Sequence, residues 1–177
     1  KEAVDIFEPD LVWFDGGWGT PISKSRATEL SAYFYNLAEG RKALPLENHG
    51  NRIAFIGCNA KGGSFAQASE TEPGAAVCDM DWMAGEIQRL KATGYLVIAT
   101  FQHLEYYTYE AQPDQQQDFR QMAGAGADIV SGSQAHQPQG MEFLNGSFIH
   151  YGLGNLFFDQ YSYCDACRQG MIDLHVL

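Results

Sequence analysis

Two apolar runs in the second half of the chain predict neighbouring strands of a buried sheet. Residues 95–101 (YLVIATF) are followed by polar residues that include His103, and residues 128–131 (DIVS) are followed by a polar stretch that ends at His136. A helix is predicted over residues 114–123, so the order strand, helix, strand predicts a βαβ unit with parallel strands and a right-handed crossover. Ligands bind beyond the carboxyl ends of strands in open α/β sheets, so the two histidines are the first candidates for a functional site.

A second helix is predicted after Asp79, because apolar residues recur there at helical spacing and Gly94 stands where a C-cap glycine belongs. The recurring apolar residues are Met80, Met83, Ile87 and Leu90. Core packing is the expected role of these side chains.

Turn signals predict two β-hairpins and some further elements. Segments 44–47 and 52–57 flank Asn48-His-Gly-Asn51, and segments 141–144 and 147–151 flank Asn145-Gly146, the strongest short hairpin signal. A final strand is predicted over 169–176, and a strand over 10–14 and a helix over 24–37 near the start.

Charge and hydropathy exclude several classes of partner. The 177 residues carry a formal net charge of −11 with only 11 Lys and Arg, so we expect no nucleic-acid or membrane-surface binding. No apolar run approaches the length of a membrane span. No signal peptide is visible, and the chain begins without methionine, so processing or truncation is expected.

The four cysteines leave several interpretations open. Cys58 and Cys78 are isolated, whereas Cys164 and Cys167 form a C-x-x-C motif. Neither a thioredoxin motif nor a zinc ribbon is supported by the context. A local disulfide, unpaired thiols and a structural metal remain alternatives at this stage.

Four sequence blocks between about residues 36 and 176 resemble the CapA (PgsA) capsule-synthesis family, a branch of the calcineurin-like metallophosphoesterase superfamily. The blocks are 51–57 (NRIAFIG), the His103-x-Glu105-Tyr106 loop, 125–139 (AGADIVSGSQAHQPQ) and 151–159 (YGLGNLFFD). The resemblance implies a bacterial protein of the cell envelope or exterior that helps to make or anchor an anionic polymer such as poly-γ-glutamate. It also implies an α/β (α+β) fold, a mixed β-sandwich flanked by helices, with metals held where strands end.

The chain departs from the family pattern at the metal ligands. The N-terminal metal motifs are missing, Ser133 replaces the first histidine of Gly-His-x-Pro-His, and His136 matches the second. Glu105 follows His103 by two residues instead of four. We therefore expect a single domain over 1–177 that is truncated or reduced in its N-terminal half.

The candidate site residues follow from these matches. A dinuclear phosphatase site needs about six or seven oxygen and imidazole ligands, and this chain offers fewer. The predicted metal ligands are His103, His136, Glu105 and Asp15, for one divalent Mn, Zn or Fe ion or for none. His103 and His136 are also the predicted catalytic residues, and Tyr106, Tyr107 and Gln134 are the predicted substrate-binding residues.

Two functions fit this set. The first is a non-catalytic envelope protein with a degenerate metal site, which binds or tethers an anionic polymer. The second is a metal-dependent phosphoesterase that uses a metal-bound water as nucleophile. A sandwich without its first strands would expose an apolar strand, so self-association is expected in either case.

Overall fold

The computed structural model describes residues 43–48, 50–59, 76–156 and 164–176. They form one mixed six-stranded sheet and two α-helices, which confirms the predicted α+β fold class. The elements in chain order are β1 (Ala43–Asn48), β2 (Asn51–Asn59), α1 (Met80–Ala92), β3 (Leu96–Tyr106), α2 (Pro113–Ala125), β4 (Ile129–Ala135), β5 (Met141–Leu144) and β6 (Ser147–His150), followed by a 3-10 helix at Asp165–Arg168. The predicted strand 10–14 and helix 24–37 lie outside the described residues, as does Asp15.

The sheet has the strand order β1-β2-β3-β4-β6-β5, with a parallel centre and an antiparallel hairpin at each edge. β3 and β4 are parallel neighbours, as the strand–helix–strand order predicts. Both helices lie on one face, because α1 packs on β2 and β3, α2 packs on β4, β5 and β6, and the helices contact each other. No helix in the described ranges is long and apolar enough to cross a membrane.

Local sequence signals account for the helix α1 and for both hairpins. The Asp79 side chain accepts a hydrogen bond from the Trp82 N–H at 3.0 Å, and Gly94 adopts a left-handed φ of 83° beyond the C-cap. Asn145 and Gly146 also have positive φ, as a two-residue hairpin turn requires. The expected core role holds for Met83, Ile87 and Leu90, which are buried.

The core below the helices is centred on a stack of aromatic rings. The Phe101 and Phe119 rings stack at 4.8 Å, and the Phe119 and Tyr151 rings stack at 5.4 Å. Gly132 lies directly beneath this stack, where an added Cβ would meet the Phe119 ring at 2.8 Å and the carbonyl oxygen of Tyr151. Only glycine therefore fits at this position of β4.

The ends of β3 and β4 and the predicted final strand differ most from the structure. β3 continues to Tyr106 and β4 to Ala135, because backbone pairing persists through side chains that are polar. His103 consequently lies inside a strand and not in a loop. The predicted final strand over 169–176 is wrong: apart from an isolated bridge between Gly154 and Gly170, it has no strand pairing among the described residues.

The cysteines form two disulfides, Cys58–Cys78 and Cys164–Cys167, and none is free. The first joins the end of β2 to the segment before α1. The second closes the turn that contains the 3-10 helix. The alternatives left open by the sequence, unpaired thiols and a metal at the C-x-x-C motif, do not apply to this structure.

Candidate functional site

His136 lies immediately after β4, at the carboxyl end of the parallel strands. Its backbone N–H donates to the Tyr106 carbonyl at 2.8 Å, which fixes the ring beside the end of β3. The imidazole contacts the side chains of Asn155, Glu105 and Tyr107. We call these four residues the His136 site.

Two hydrogen bonds and one ring contact define the geometry of the His136 site. The His136 Nδ1 lies 3.0 Å from Asn155 Oδ1, and its Nε2 lies 3.3 Å from Glu105 Oε1. The Tyr107 ring stacks on the imidazole with centroids 4.8 Å apart. The His136 side chain is 9% exposed whereas that of Glu105 is 58% exposed, so the carboxylate forms the solvent-facing side of the site.

The orientation of the Asn155 amide determines where the proton of His136 lies. Asn155 Nδ2 donates to the Cys167 carbonyl at 3.0 Å, so its Oδ1 must be the atom that faces His136. An amide oxygen only accepts, and Nδ1 is therefore the donor. The Glu105 carboxylate also only accepts, so the ring makes both hydrogen bonds only as the imidazolium.

His103 belongs to a different environment, between β3 and α2. Its side chain is fully buried, and its Nε2 lies 2.8 Å from Asp118 Oδ2. Its Nδ1 lies 2.9 Å from the Tyr106 hydroxyl, which in turn donates to Asp114 at 3.4 Å. Burial and the adjacent Asp114 carboxylate raise the pKa of Tyr106, which therefore stays a neutral phenol. The Phe119 ring meets the imidazole edge-on.

The predicted site residues thus separate into two groups. His136, Glu105 and Tyr107 come together, whereas His103 and Tyr106 bond to each other and to carboxylates of α2. The cause is a shift of register between Gln102 and Tyr106, which interrupts the regular alternation of β3.

Two predicted residues remain outside both groups. Gln134 has a left-handed φ of 78°, and its Oε1 accepts a hydrogen bond from Gln102 Nε2 at 3.2 Å. Asp15 lies outside the described residues.

The described residues do not fit the dinuclear metal site of the superfamily. Within the described ranges, no three His, Cys, Asp or Glu side chains are grouped so that they could hold a metal ion. Within the part of the chain that the structure describes, the hydrogen bonds of His136 join one imidazole, one carboxylate and one amide oxygen, fewer than the four ligands of an ordinary zinc site. Both ring nitrogens of His103 already have partners.

Sequence reasoning missed some of the partners of both histidines. Asp114 and Asp118 are four residues apart in α2, and this spacing places them on the side of the helix that faces His103. Their spacing beside the apolar Phe119 is the signal that could have revealed them. Asn155 is a further partner, which bonds His136. No local pattern indicates that contact, because 19 residues separate the two.

A second polar cluster lies between α2, the start of β5 and the 109–111 segment. Arg120 holds Glu142 through two hydrogen bonds of 2.7 and 3.0 Å, and the Tyr151 hydroxyl also donates to Glu142. These bonds, led by those from Arg120, lower the pKa of Glu142. The three side chains and Tyr109 line an open cleft of about 410 Å³.

Known proteins match this chain over most of its length. The family model described as "Bacterial capsule synthesis protein PGA_cap" matches residues 33–160. "PGA biosynthesis protein CapA" of Bacillus subtilis (strain 168) is 30% identical over 127 residues, covering 71% of this chain and 33% of the relative. "Capsule biosynthesis protein CapA" of Bacillus anthracis is 29% identical over 116 residues, covering 63% of this chain and 28% of the relative. The chain spans about a third of the length of these curated relatives, and it belongs to the bacterial capsule synthesis protein PGA_cap family.

Proposed function

We propose that this chain acts at the bacterial cell envelope in the synthesis or anchoring of an anionic polymer, and that it binds the polymer at the His136 site without hydrolysing it. Family membership supports the link to capsule synthesis, and the two relatives are named for PGA and capsule biosynthesis. The observation that carries the binding role is the contact between Nε2 of the His136 ring and the exposed Glu105 carboxylate.

Glu105 occupies the position that a carboxylate of the polymer would take. Its distance of 3.3 Å from His136 Nε2 is long for a charge-assisted hydrogen bond, which measures about 2.7–2.9 Å. Because Glu105 is 58% exposed, its side chain can swing into solvent while a ligand carboxylate accepts the proton of Nε2. Asn155 keeps the ring in place during this exchange, and Tyr107 offers a half-exposed ring beside it.

The net charge of −11 makes such a local cation necessary. A strongly acidic surface repels an anionic polymer at long range, so binding depends on a short-range contact with a positive group. Screening by salt weakens the repulsion between exposed charges more than it weakens a close hydrogen-bonded contact. Moderate salt should therefore aid the binding proposed here.

The two disulfides support a location outside the cytoplasm. Disulfides form and persist in oxidising compartments such as the cell surface, and they are rare in the cytosol. An extracellular or envelope location is therefore part of the proposal.

Binding of purified poly-γ-glutamate to four versions of the chain tests the proposal. His136→Ala should weaken binding by about tenfold or more, because it removes a charge-assisted hydrogen bond. Glu105→Ala should strengthen binding, because it removes the competing carboxylate. His175→Ala is the matched control, since this exposed histidine contacts the Phe148 ring away from the His136 site. Equal affinities for the wild type and His136→Ala would contradict the proposal.

A metal-dependent phosphoesterase is the alternative function, and the same set of variants tests it. Elemental analysis of protein purified without chelators would show whether Mn, Zn or Fe accompanies the chain. Metal-dependent hydrolysis of a generic phosphoester that is lost in His136→Ala and kept in His175→Ala would replace the binding proposal with the enzymatic one.

We also propose that copies of the chain associate. Several large apolar side chains are exposed at one end of the sheet and in the segment after the 3-10 helix. They are Phe143 at 78%, Ile172 at 77%, Leu174 at 92% and Val176 at 97% exposure. Surfaces of this kind favour association in water.

A further inference from the structure

The Cys164–Cys167 disulfide lies next to the His136 site, because the backbone of Cys167 contacts Asn155. It closes the turn that contains the 3-10 helix Asp165–Arg168, and Cys167 is completely buried. The carbonyl oxygen of Cys167 accepts the hydrogen bond from Asn155 Nδ2. The disulfide therefore holds the acceptor that orients the Asn155 amide.

The backbone on both sides strengthens this connection. The Asn155 N–H donates to the Gln169 carbonyl at 3.0 Å, and an isolated bridge joins Gly154 to Gly170. An added Cβ at Gly170 would lie 2.9 Å from the backbone carbonyl carbon of Asn155, so the two segments are in close contact. A change in the turn at 164–168 is thus transmitted directly to Asn155.

We infer that the Cys164–Cys167 disulfide is a redox-sensitive positioning element for His136, which acts through the side-chain amide of Asn155. The contacts run from the disulfide to the Cys167 carbonyl, from there to Asn155 Nδ2, and from Asn155 Oδ1 to His136 Nδ1. This role deepens the proposed function and rests on it, because the imidazole it positions is the one proposed to bind the polymer.

The redox step is a thiol–disulfide exchange with a dithiol reductant. The reductant supplies two electrons and two protons, the Sγ–Sγ bond breaks, and Cys164 and Cys167 become thiols while the reductant becomes a cyclic disulfide. The turn at 164–167 is then no longer closed by a covalent bond. Once the Cys167 carbonyl moves, the Asn155 amide can rotate and present Nδ2 to His136 in place of Oδ1.

Rotation of that amide changes which nitrogen of His136 carries a proton. In the oxidised chain the Asn155 oxygen requires a proton on Nδ1. An amide nitrogen facing Nδ1 would require the opposite, a ring with Nδ1 unprotonated. Reduction therefore removes the Asn155 hydrogen bond that fixes the His136 ring, and Nε2 is no longer held toward the proposed carboxylate contact.

The test is the ¹⁵N spectrum of the His136 ring in the full 177-residue chain. Three forms are compared: the oxidised wild type, Cys164→Ser/Cys167→Ser, and the matched control Cys58→Ser/Cys78→Ser, which removes the disulfide at the end of β2. We expect protonated Nδ1 in the wild type and in the control, and a loss of that signature in Cys164→Ser/Cys167→Ser. Identical His136 signals in all three forms would overturn the inference.

Asn155→Asp separates positioning from general stability. Aspartate keeps an oxygen acceptor for His136 Nδ1 but cannot donate to the Cys167 carbonyl. Adding a dithiol reductant should shift the His136 signals of the wild type and leave those of Asn155→Asp unchanged. An equal shift in both would show that the coupling does not pass through Asn155, and this would overturn the inference even if Cys164→Ser/Cys167→Ser does not fold.

The spectroscopic measurement tests the positioning of His136 and the binding measurement tests the proposed function, so either claim can be refuted without the other. Poly-γ-glutamate that does not bind the oxidised wild type would refute the proposed function while the ring spectrum still reports on positioning. If both hold, reduction should weaken polymer binding in the wild type by about as much as His136→Ala does.

Discussion

Nε2 of His103 lies 2.8 Å from Oδ2 of Asp118, and this buried contact fastens β3 to α2. The His103 side chain is fully buried while that of Asp118 retains 20% exposure. The other ring nitrogen contacts Tyr106, so the imidazole is completely engaged within the helix-facing interior. His103 therefore stabilises the fold and takes no part in the proposed binding site.

Asp118→Ala should lower the free energy of unfolding by about 1–3 kcal/mol, because it leaves a buried imidazole nitrogen without its partner. Urea unfolding monitored by fluorescence measures the change. Asp165→Ala is the control, since its side chain is 93% exposed and its removal should change stability by no more than about 0.5 kcal/mol. Loss of polymer binding in a folded Asp118→Ala would contradict the separation of the two histidines.

Gly132→Ala should destabilise the chain by about 3 kcal/mol or more, because the new methyl group would collide with the Phe119 ring and the Tyr151 carbonyl. Gly140→Ala is the matched control, since nothing lies within 4 Å of an added Cβ there. Thermal unfolding of the two variants side by side makes the comparison. Equal melting temperatures would show that the β4–α2 packing is looser than described.

The Glu142 carboxylate should make stability depend on pH in the acid range. Its pKa in the folded chain is lower than its usual value of 4.5, because Arg120 and Tyr151 hydrogen bond to the charged form. The stabilisation that the Glu142 carboxylate gives to the folded chain is therefore fully present above pH 4.5. It disappears as the pH falls through the lower pKa of Glu142 in the folded state.

Glu142→Gln should accordingly lower stability by at most about 1 kcal/mol at pH 7. The difference from the wild type should shrink as the pH is lowered, which chemical unfolding between pH 7 and pH 3 would measure. A difference that is constant with pH would mean that the charge of Glu142 contributes nothing.

Leu174→Ser/Val176→Ser should reduce self-association without loss of stability, because these side chains are more than nine-tenths exposed. Sedimentation velocity over a range of concentrations should show a smaller average mass for the double variant than for the wild type. A wild type that sediments as a monomer at every concentration would refute the proposed association.

Much of the fold follows from short-range signals in the sequence. Asp79 and Gly94 delimit α1, Asn145-Gly146 produces the β5–β6 hairpin, and the strand–helix–strand order yields the parallel β3–β4 pair. The ends of β3 and β4 could not be predicted, because side-chain polarity does not report where backbone pairing stops. The prediction of the final strand was wrong for a related reason. Alternating apolar residues such as Ile172 and Leu174 form a strand only where a neighbouring strand is available for pairing.

The site was predicted only in part. His136 contacts Glu105 and Tyr107, since all three lie near the ends of adjacent parallel strands, and the roles assigned to them stay predictions. The separation of His103 depends on the register shift, which is set by packing against α2 and leaves no trace in the local pattern. Asn155 depends on a contact across 19 residues, which spacing alone cannot reveal.

The shifted register in β3 gives two neighbourhoods whose residues can be changed separately. In a regular strand residues 103, 105 and 107 would share one side, but here residues 103 and 106 meet α2 whereas 105 and 107 meet His136. Substitutions at Glu105 or Tyr107 can therefore change which ligand the surface binds, while the hydrogen bonds of His103 in the interior persist. The extra residues of β3 in this stretch therefore let a single strand serve both neighbourhoods while it stays paired with β4.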